Sequence, residues 1–173
     1  MRRNVSIIKD ALGKSIVLIQ DIRFRGKQNI DWKAVESYLK QYIGEVIEIA
    51  DYSDIVYIGS DFPDEYSNSE DTVIRKGALA KAKANAVQGV PELVGIGVNK
   101  RFKKNLNKKH KKNAKYGWYR YDSRFALPVY INGEIERYNI FCAEVLIRHD
   151  NNGRLYLYDI VNIKKETSTP LEQ

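Results

Sequence analysis

The sequence contains little cysteine, histidine or proline, and these shortages exclude whole classes of protein. Cys142 is the only cysteine in 173 residues, so an internal disulfide framework is excluded and we expect a cytoplasmic protein. No group of cysteines and histidines has metal-ligand spacing, and we expect neither a metal nor another cofactor. No apolar run is long enough to cross a membrane as a helix. The start of the chain also lacks the apolar region of a secretory signal.

The length and composition are those of an ordinary globular protein. An apolar fraction of 43% is sufficient for a core, and 173 residues fit one domain, or one domain with a small N-terminal addition. We expect an α+β fold in two parts. Residues 1–62 would form a small N-terminal α/β extension, and residues 63–173 a helix packed on a four-stranded antiparallel sheet.

Local patterns in residues 1–62 predict a short mixed unit. Ser15–Ile19 is an apolar run typical of a buried strand. Asp31 is a good N-cap for a helix that continues through Ile43. Two further strands are predicted at 45–50 and 54–59, on either side of a turn-rich stretch.

The next region contains the strongest helix signal in the chain. Ser67 and Glu70 have the spacing of a capping box, and Gly89 and the following proline end the pattern. We expect one helix between them that buries a stripe of small residues: Val73, Gly77, Ala80, Ala84 and Val87. A strand is then predicted at Glu92–Val98.

The C-terminal part is predicted to be an antiparallel meander. Asn132-Gly133 and Asn152-Gly153 are hairpin turn signals between alternating apolar runs. Alternation places the core face of the middle strand at Phe141, Ala143, Val145 and Ile147. The three strands are predicted at Tyr116–Tyr130, Arg137–His149 and Arg154–Lys164.

Positive charge is concentrated between Lys100 and Arg124. This segment has eleven lysines or arginines and one acid, Asp122, while the whole chain carries only +7, so the remainder is net negative. Such asymmetry is typical of phosphate contacts, although a lysine run can also be a solvated loop. We predict an exposed loop or frayed helix that binds RNA. The predicted nucleic-acid contacts are Lys100, Arg101, Lys103, Lys104, Lys108, Lys111, Lys112, Lys115 and the stacking residue Trp118.

His110 is the first candidate for proton transfer. It lies among lysines, including Lys109, whose positive charge disfavours the protonated imidazole and leaves a neutral base. The alternative is a solvated surface histidine. His149 is the second histidine, and it lies beside the Asn152-Gly153 turn.

Two arginines and the end of the last strand complete the predicted catalytic set. Arg120 and Arg124 share one face of a strand and suit bidentate contacts to a phosphate, or else an ion-pair ladder around Asp122. Lys164 and Thr167 offer an amine and a hydroxyl to a phosphate oxygen, or else belong to a frayed tail.

The absence of two other motifs limits the mechanisms by which this protein could cleave nucleic acid. No glycine-rich phosphate loop and no two-metal carboxylate pattern is present. Cleavage of nucleic acid would therefore use a base on the ribose 2′-hydroxyl, cations on the phosphorane and an acid on the leaving oxygen. DNA lacks that hydroxyl, so only RNA would be cleaved.

The sequences Tyr116–Tyr130 (YGWYRYDSRFALPVY) and Leu155–Glu166 (LYLYDIVNIKKE) resemble domains of phages and conjugative elements. Those domains are grouped with the barnase–EndoU–colicin–RelE-like nucleases, and the resemblance covers roughly residues 67–173. It implies a helix on a four-stranded antiparallel sheet and metal-independent RNA cleavage. Site positions would be His110 with Lys109, Arg120 with Arg124, and Lys164 with Thr167. EndoU-type members use two histidines, so one-histidine and two-histidine sites both stay open.

Two hypotheses of different class follow. The first is a ribonuclease, a hydrolase-like enzyme of a phage or mobile element that acts on structured or guide RNA and would serve as an anti-CRISPR protein. The second is a non-catalytic inhibitor that uses the same basic segment to occlude a nucleic acid or a host ribonucleoprotein such as a CRISPR effector.

Overall fold

Eight β-strands form one mixed sheet in the computed structural model, which describes residues 3–26, 29–104 and 114–167. The order across the sheet is β1-β2-β6-β7-β8-β4-β3, and β5 pairs with β6 beside this path. The long strands β6, β7 and β8 therefore lie at its centre. The strands are β1 Val5–Lys9, β2 Ser15–Ile19, β3 Val46–Ile49, β4 Asp54–Tyr57, β5 Val98–Lys103, β6 Trp118–Ile131, β7 Glu134–His149 and β8 Leu155–Thr167.

The central meander confirms the predicted C-terminal strands. Asn132 and Gly133 both have positive φ, 53° and 78°, as a two-residue hairpin turn requires, and they join β6 to β7. The predicted core face of β7 is confirmed, since all four of its side chains are buried. The turn between β7 and β8 is longer than two residues, because the Asp150 N–H donates to the Arg154 carbonyl at 2.9 Å.

The first 62 residues supply strands to both sides of this meander. The β1–β2 hairpin joins through β2, which runs parallel to β6 with Val17 opposite Phe125. The β3–β4 hairpin joins through β4, which runs parallel to β8 with Val56 opposite Leu155. Residues from both predicted parts also share one hydrophobic core.

The α+β class is confirmed, but the predicted four-stranded antiparallel sheet is wrong. Over the described ranges, the sheet has eight strands and is mixed. The physical reason lies in β2 and β4, which are short apolar strands. An apolar run indicates burial but carries no information about its pairing partner, and here both strands find theirs in the meander.

The helices cover one face of the sheet and follow the local signals at their starts. Asp31 caps α1, since its carboxylate accepts from the Ala34 N–H at 3.1 Å. In the described ranges, no helix combines the length and apolar character needed to cross a membrane. The helices are α1 Trp32–Leu39, α2 Phe62–Asn68, α3 Glu70–Ile74, α4 Gly77–Ala86 and α5 Val90–Gly95.

The single helix predicted after Ser67 is wrong. Ser69 is the cap, its hydroxyl accepting from the Thr72 N–H at 3.2 Å, and it starts only the short α3. Arg75 is extended, so α4 begins separately at Gly77, which has φ +59°. Val73 is consequently 71% exposed rather than part of the buried stripe. Within that stripe, the prediction is confirmed for Ala80, Ala84 and Val87, which are buried.

The strand predicted at Glu92–Val98 is also wrong, because α5 occupies most of that range. Pro91 lies in the first turn of α5, where its fixed φ favours a helix and its missing N–H costs nothing. Gly97 then passes close to β6, since a Cβ there would lie 2.9 Å from the Tyr121 Cβ.

A lysine is fully buried between the helices and β8. The Lys83 ammonium of α4 lies 2.8 Å from the Asp71 carboxylate and 3.0 Å from that of Asp159. Its relative exposure is 0%. We name Asp71, Lys83 and Asp159 the buried charge network. Burial raises the pKa of Asp159 to about 6, against the opposing effect of Lys83.

Candidate nucleic-acid interface

Residues of five strands line an open cavity at one end of the sheet. It has a volume of about 360 Å³, at the small end of the range for ligand pockets. The strand β4, the start of β6, the end of β7 and the start of β8 all contribute, and β5 contributes Lys100. The lining residues are Asp54, Ile55, Tyr57, Lys100, Tyr119, His149, Gly153, Arg154 and Leu155.

The chain that returns to the sheet at Ala114 holds His149 in place. The Tyr116 N–H donates to the His149 carbonyl at 3.1 Å, and the His149 N–H donates to the Gly117 carbonyl at 2.9 Å. Gly117 has φ +100°, and a Cβ there would lie 2.6 Å from the Phe102 ring. Only glycine fits this turn without displacement, so the turn fixes the backbone of the cavity histidine.

The His149 ring is positioned by aromatic contacts and one hydrogen bond. Its centroid lies 5.1 Å from that of Tyr116 and 5.9 Å from that of Tyr119. Its Nε2 lies 3.2 Å from the Gly153 carbonyl oxygen. A carbonyl oxygen can only accept, so this bond places a hydrogen on Nε2. In the neutral ring, Nδ1 then carries the lone pair and can act as a base.

Lys100 connects the cavity to the core. Its ammonium lies 2.7 Å from Asp54 Oδ2 and 4.8 Å from the centroid of the Tyr119 ring. The buried Tyr121 hydroxyl donates to the same Oδ2 at 2.6 Å. Burial and the neighbouring Asp54 carboxylate raise the pKa of Tyr121, which keeps its hydroxyl protonated as a donor.

Arginines lie over two tyrosines on the β4–β8 side. The Arg154 guanidinium carbon is 4.7 Å from the Tyr57 ring centroid, and that of Arg148 is 5.0 Å from the Tyr156 centroid. Arg148 also forms an ion pair with Asp61. Arg154 is exposed at the cavity, where its guanidinium can contact a phosphate.

Exposed aromatic rings surround the same end. Four aromatic side chains in the described part of the chain are exposed, and three of them lie at this end. They are Phe102, Tyr116 and Tyr52, at 57%, 46% and 39% exposure. Exposed rings beside cations are suited to stacking on unpaired bases. We name this surface, formed by the cavity residues with Tyr52, Phe102 and Tyr116, the cationic–aromatic end.

The described residues of the predicted basic segment on either side of 105–113 lie at the cationic–aromatic end. Its first part is a strand, β5, and not the predicted loop or helix; Lys103 pairs with Trp118 of β6. Lys100, Arg101, Lys103, Lys104 and Lys115 are exposed. The other predicted contacts and the predicted base lie outside the described residues: Lys108, Lys109, His110, Lys111 and Lys112.

The two predicted catalytic arginines lie away from the cavity, in ion pairs. Arg120 Nη1 is 2.8 Å from Glu144 Oε1, on the outer sheet face. Arg124 bonds Asp10 at 2.7 Å and Glu166 at 2.9 Å. Four residues of strand separate the two arginines, which is roughly 13 Å. Their catalytic roles stay predictions.

Lys164 lies near Arg124 and not near the cavity. Both pair with Cys142 of β7 from opposite sides, so they are two strands apart, roughly 10 Å. The Thr167 backbone ends β8 opposite Ile140. The predicted stacking residue Trp118 is half-buried with its ring 4.9 Å from that of Tyr158. Tyr119, the next residue of β6, lines the cavity.

The residues that sequence reasoning missed are Asp54, Tyr57 and Arg154. Asp54 and Tyr57 belong to β4, whose pairing with β8 no local pattern indicated. Arg154 had a signal, since it follows the Asn152-Gly153 turn directly, and strand ends beside turns often bear functional residues.

No protein-family model matches the chain, and neither a curated protein nor a solved structure matches it. The described residues contain no group of three or more histidines, cysteines and carboxylates placed to hold a metal. The chemistry of the site is therefore inferred from the side chains at the cationic–aromatic end.

Proposed function

We propose that the protein binds single-stranded RNA at the cationic–aromatic end and cleaves it without a metal. One observation carries the proposal: a cavity that combines Lys100, Arg154, Tyr119 and His149 lies where the basic segment meets the sheet. Cations bind the phosphates, rings stack on the bases, and an imidazole stands beside both. A phage or mobile-element origin remains an implication of the sequence resemblance.

The cleavage step follows from the tautomer of His149. Nδ1 takes the proton of a ribose 2′-hydroxyl, and the freed oxygen attacks the adjacent phosphorus. The bond from phosphorus to the 5′ oxygen breaks, and that oxygen takes a proton from an acid. The products are a 2′,3′-cyclic phosphate and a 5′-hydroxyl. Lys100 and Arg154 stabilise the charge on the phosphorane, and the predicted His110 is a candidate acid from the basic segment.

A second candidate function is RNA occlusion without cleavage. The ion pairs of Arg120 and Arg124 favour it, because these two predicted catalytic cations already neutralise carboxylates. A binder needs the cavity and the basic segment but no proton transfer. The same surface would then block a nucleic acid or a ribonucleoprotein.

Incubation with end-labelled RNA in EDTA separates the two functions. The variants are His149→Ala, His110→Ala and, as a matched loss of a charged side chain outside the cavity and outside the predicted catalytic set, Arg137→Ala. For the enzyme, wild type and Arg137→Ala release 2′,3′-cyclic phosphate ends. His149→Ala is expected to cut at least about 100-fold more slowly, with RNA affinity within twofold.

The remaining outcomes are equally informative. Salt-sensitive binding without cleavage by wild type would replace the enzyme by the occluding binder. Unchanged cleavage by His149→Ala would remove that residue from the reaction. If wild type bound no RNA at low salt, both functions would be wrong.

A further inference from the structure

Asp54 is a carboxylate inside an otherwise cationic and aromatic cavity. It comes from β4, so it belongs to residues 1–62 and not to the meander. The described residues make two contacts to this carboxylate, from Lys100 Nζ at 2.7 Å and from the Tyr121 hydroxyl at 2.6 Å, and both are to Oδ2. Oδ1 is left to accept from a ligand, while the two Oδ2 contacts hold the carboxylate in position.

A second acceptor lies in the same cavity. The Gly153 carbonyl accepts from His149 Nε2 at 3.2 Å, and a carbonyl oxygen has a second lone pair. The cavity therefore offers acceptors from Asp54 and Gly153, cations from Lys100 and Arg154, and the rings of Tyr57 and Tyr119. A ligand that matches this set has a flat ring, an anionic group and hydrogen-bond donors on one edge.

Among RNA bases, guanine fits the acceptors best. Its Watson–Crick edge places an N–H beside an amino group, so two donors are adjacent. Adenine and cytosine have an acceptor nitrogen beside the amino group, and uracil has one N–H between two carbonyls. Asp54 Oδ1 and the Gly153 carbonyl oxygen can only accept, so together they favour the edge with two donors. The volume of about 360 Å³ leaves room for one nucleotide.

We propose that this cavity is a guanine-reading subsite, in which Asp54 Oδ1 accepts from the N1–H of the base and the Gly153 carbonyl accepts from its amino group. Tyr57 or Tyr119 stacks on the ring, and Arg154 contacts a neighbouring phosphate. The inference rests on the proposed RNA binding and deepens it. It also gives residues 1–62 a role, because their strand β4 supplies the specificity of a site that the meander builds.

Binding of 2′-O-methyl RNA heptamers tests the proposal, since they cannot undergo transesterification. The heptamers carry a central G, A, U or inosine among uridines, and affinity is read by fluorescence anisotropy. Wild type is expected to bind the G heptamer about tenfold more tightly than the A heptamer. Inosine lacks the amino group, so its affinity is expected to lie between them.

Asp54→Asn and Asp51→Asn form a matched pair of variants. Both lose one carboxylate, but Asp51 lies in an exposed turn outside the cavity. Asp54→Asn is expected to bring the G and A affinities within twofold of each other, while Asp51→Asn keeps the wild-type ratio. The all-U heptamer and circular dichroism report whether each variant is folded and still binds the backbone.

The outcomes separate this inference from the proposed function. Equal affinity of wild type for all heptamers would overturn guanine reading and leave RNA binding intact. A preference that survives Asp54→Asn, with the fold intact, would remove Asp54 from recognition. If Asp54→Asn were unfolded, the inosine heptamer with wild type would decide alone. No binding of any heptamer would overturn both proposals.

Discussion

Two of the lysine–aspartate contacts among the described residues have similar lengths but opposite surroundings. In the buried charge network, Lys83 is 0% exposed and 3.0 Å from Asp159. At the cationic–aromatic end, Lys100 is 29% exposed and 2.7 Å from Asp54. The two contacts differ in their exposure to solvent and not in their length. In the interior, removing one partner leaves the other as an unpaired buried charge, whereas at the surface water solvates the remaining charge. The first pair therefore belongs to the fold, whereas the second lies where a ligand can reach both groups.

Lys83→Met should have the largest effect on the free energy of unfolding. It leaves Asp159 and Asp71 without their shared ammonium, and we expect the free energy of unfolding to fall by about 3–5 kcal/mol. The matched change Lys100→Met should cost less than about 1 kcal/mol. Urea denaturation measures both. Similar losses in the two variants would contradict the assignment of one pair to structure and the other to binding.

Asp159 should give the pH dependence of stability a specific direction. Its pKa is raised to about 6 in the folded protein, above the ordinary value of 3.8. The folded state then holds the extra proton between these values, so the free energy of unfolding should fall as the pH rises from about 4 to about 6. The slope is at most about 1.4 kcal/mol per pH unit.

Asp71 has the opposite effect on stability, and at lower pH. Burial raises its pKa, but hydrogen bonds from Arg75 and Lys83 outweigh burial and lower the pKa below its ordinary value. The stability that Asp71 contributes is therefore lost as the pH falls below about 4. Thermal melts of wild type and Asp159→Asn from pH 4 to 7 separate the two residues. Asp159→Asn should flatten the decline between pH 4 and 6, and an unchanged decline would exclude Asp159 as its cause.

Arg154→Ala should change binding and leave stability unchanged. Its guanidinium is exposed over Tyr57, and we expect RNA affinity to fall about three- to tenfold. One lost phosphate contact should also reduce the slope of log affinity against log salt by about 0.7. Arg124→Ala is the control, because that arginine pairs with Asp10 and Glu166. A larger loss for Arg124→Ala would move the binding surface to the outer face.

Loss of a single tyrosine hydroxyl, in Tyr66→Phe or Tyr121→Phe, should have the smallest effect on the free energy of unfolding. The Tyr66 hydroxyl donates to the Lys83 carbonyl at 2.6 Å, and both groups are buried. Its removal should cost about 1 kcal/mol. Tyr121→Phe should cost less, because its hydroxyl donates to Asp54, whose side chain is 19% exposed. Urea denaturation measures the loss of unfolding free energy in both variants. An equal or larger loss for Tyr121→Phe would mean that the Tyr121 hydroxyl is as shielded from water as that of Tyr66.

Patterns local in the chain predicted the elements whose partners are adjacent in sequence. Alternation and the Asn132-Gly133 turn indicated the meander, because a two-residue hairpin fixes the register of the strands it joins. The same reasoning failed at Glu92–Val98, where Pro91 and close packing of Gly97 outweighed weak strand propensity. It also failed at Val73, because an extended Arg75 ended the helix early.

The candidate site was predictable in its positive charge and in its histidine. Lys100 was identified from the basic run, since clustered charge is visible in any sequence, and His149 was identified as the second histidine. Asp54 and Arg154 are far apart along the chain and line one cavity only because β4 lies parallel to β8. No local signal specifies a parallel pairing, so the carboxylate of the cavity could not have been placed beside its arginine.

The two parallel pairings have a consequence for how the chain folds. Val17 of β2 pairs with Phe125, and Val56 of β4 pairs with Leu155. Each N-terminal hairpin is made early in synthesis, but its partner strand in the meander emerges from the ribosome much later. Contacts between such distant segments raise contact order and slow folding. Until then, the apolar edges of β2 and β4 are open to other chains or chaperones, which makes them the vulnerable stage of biosynthesis.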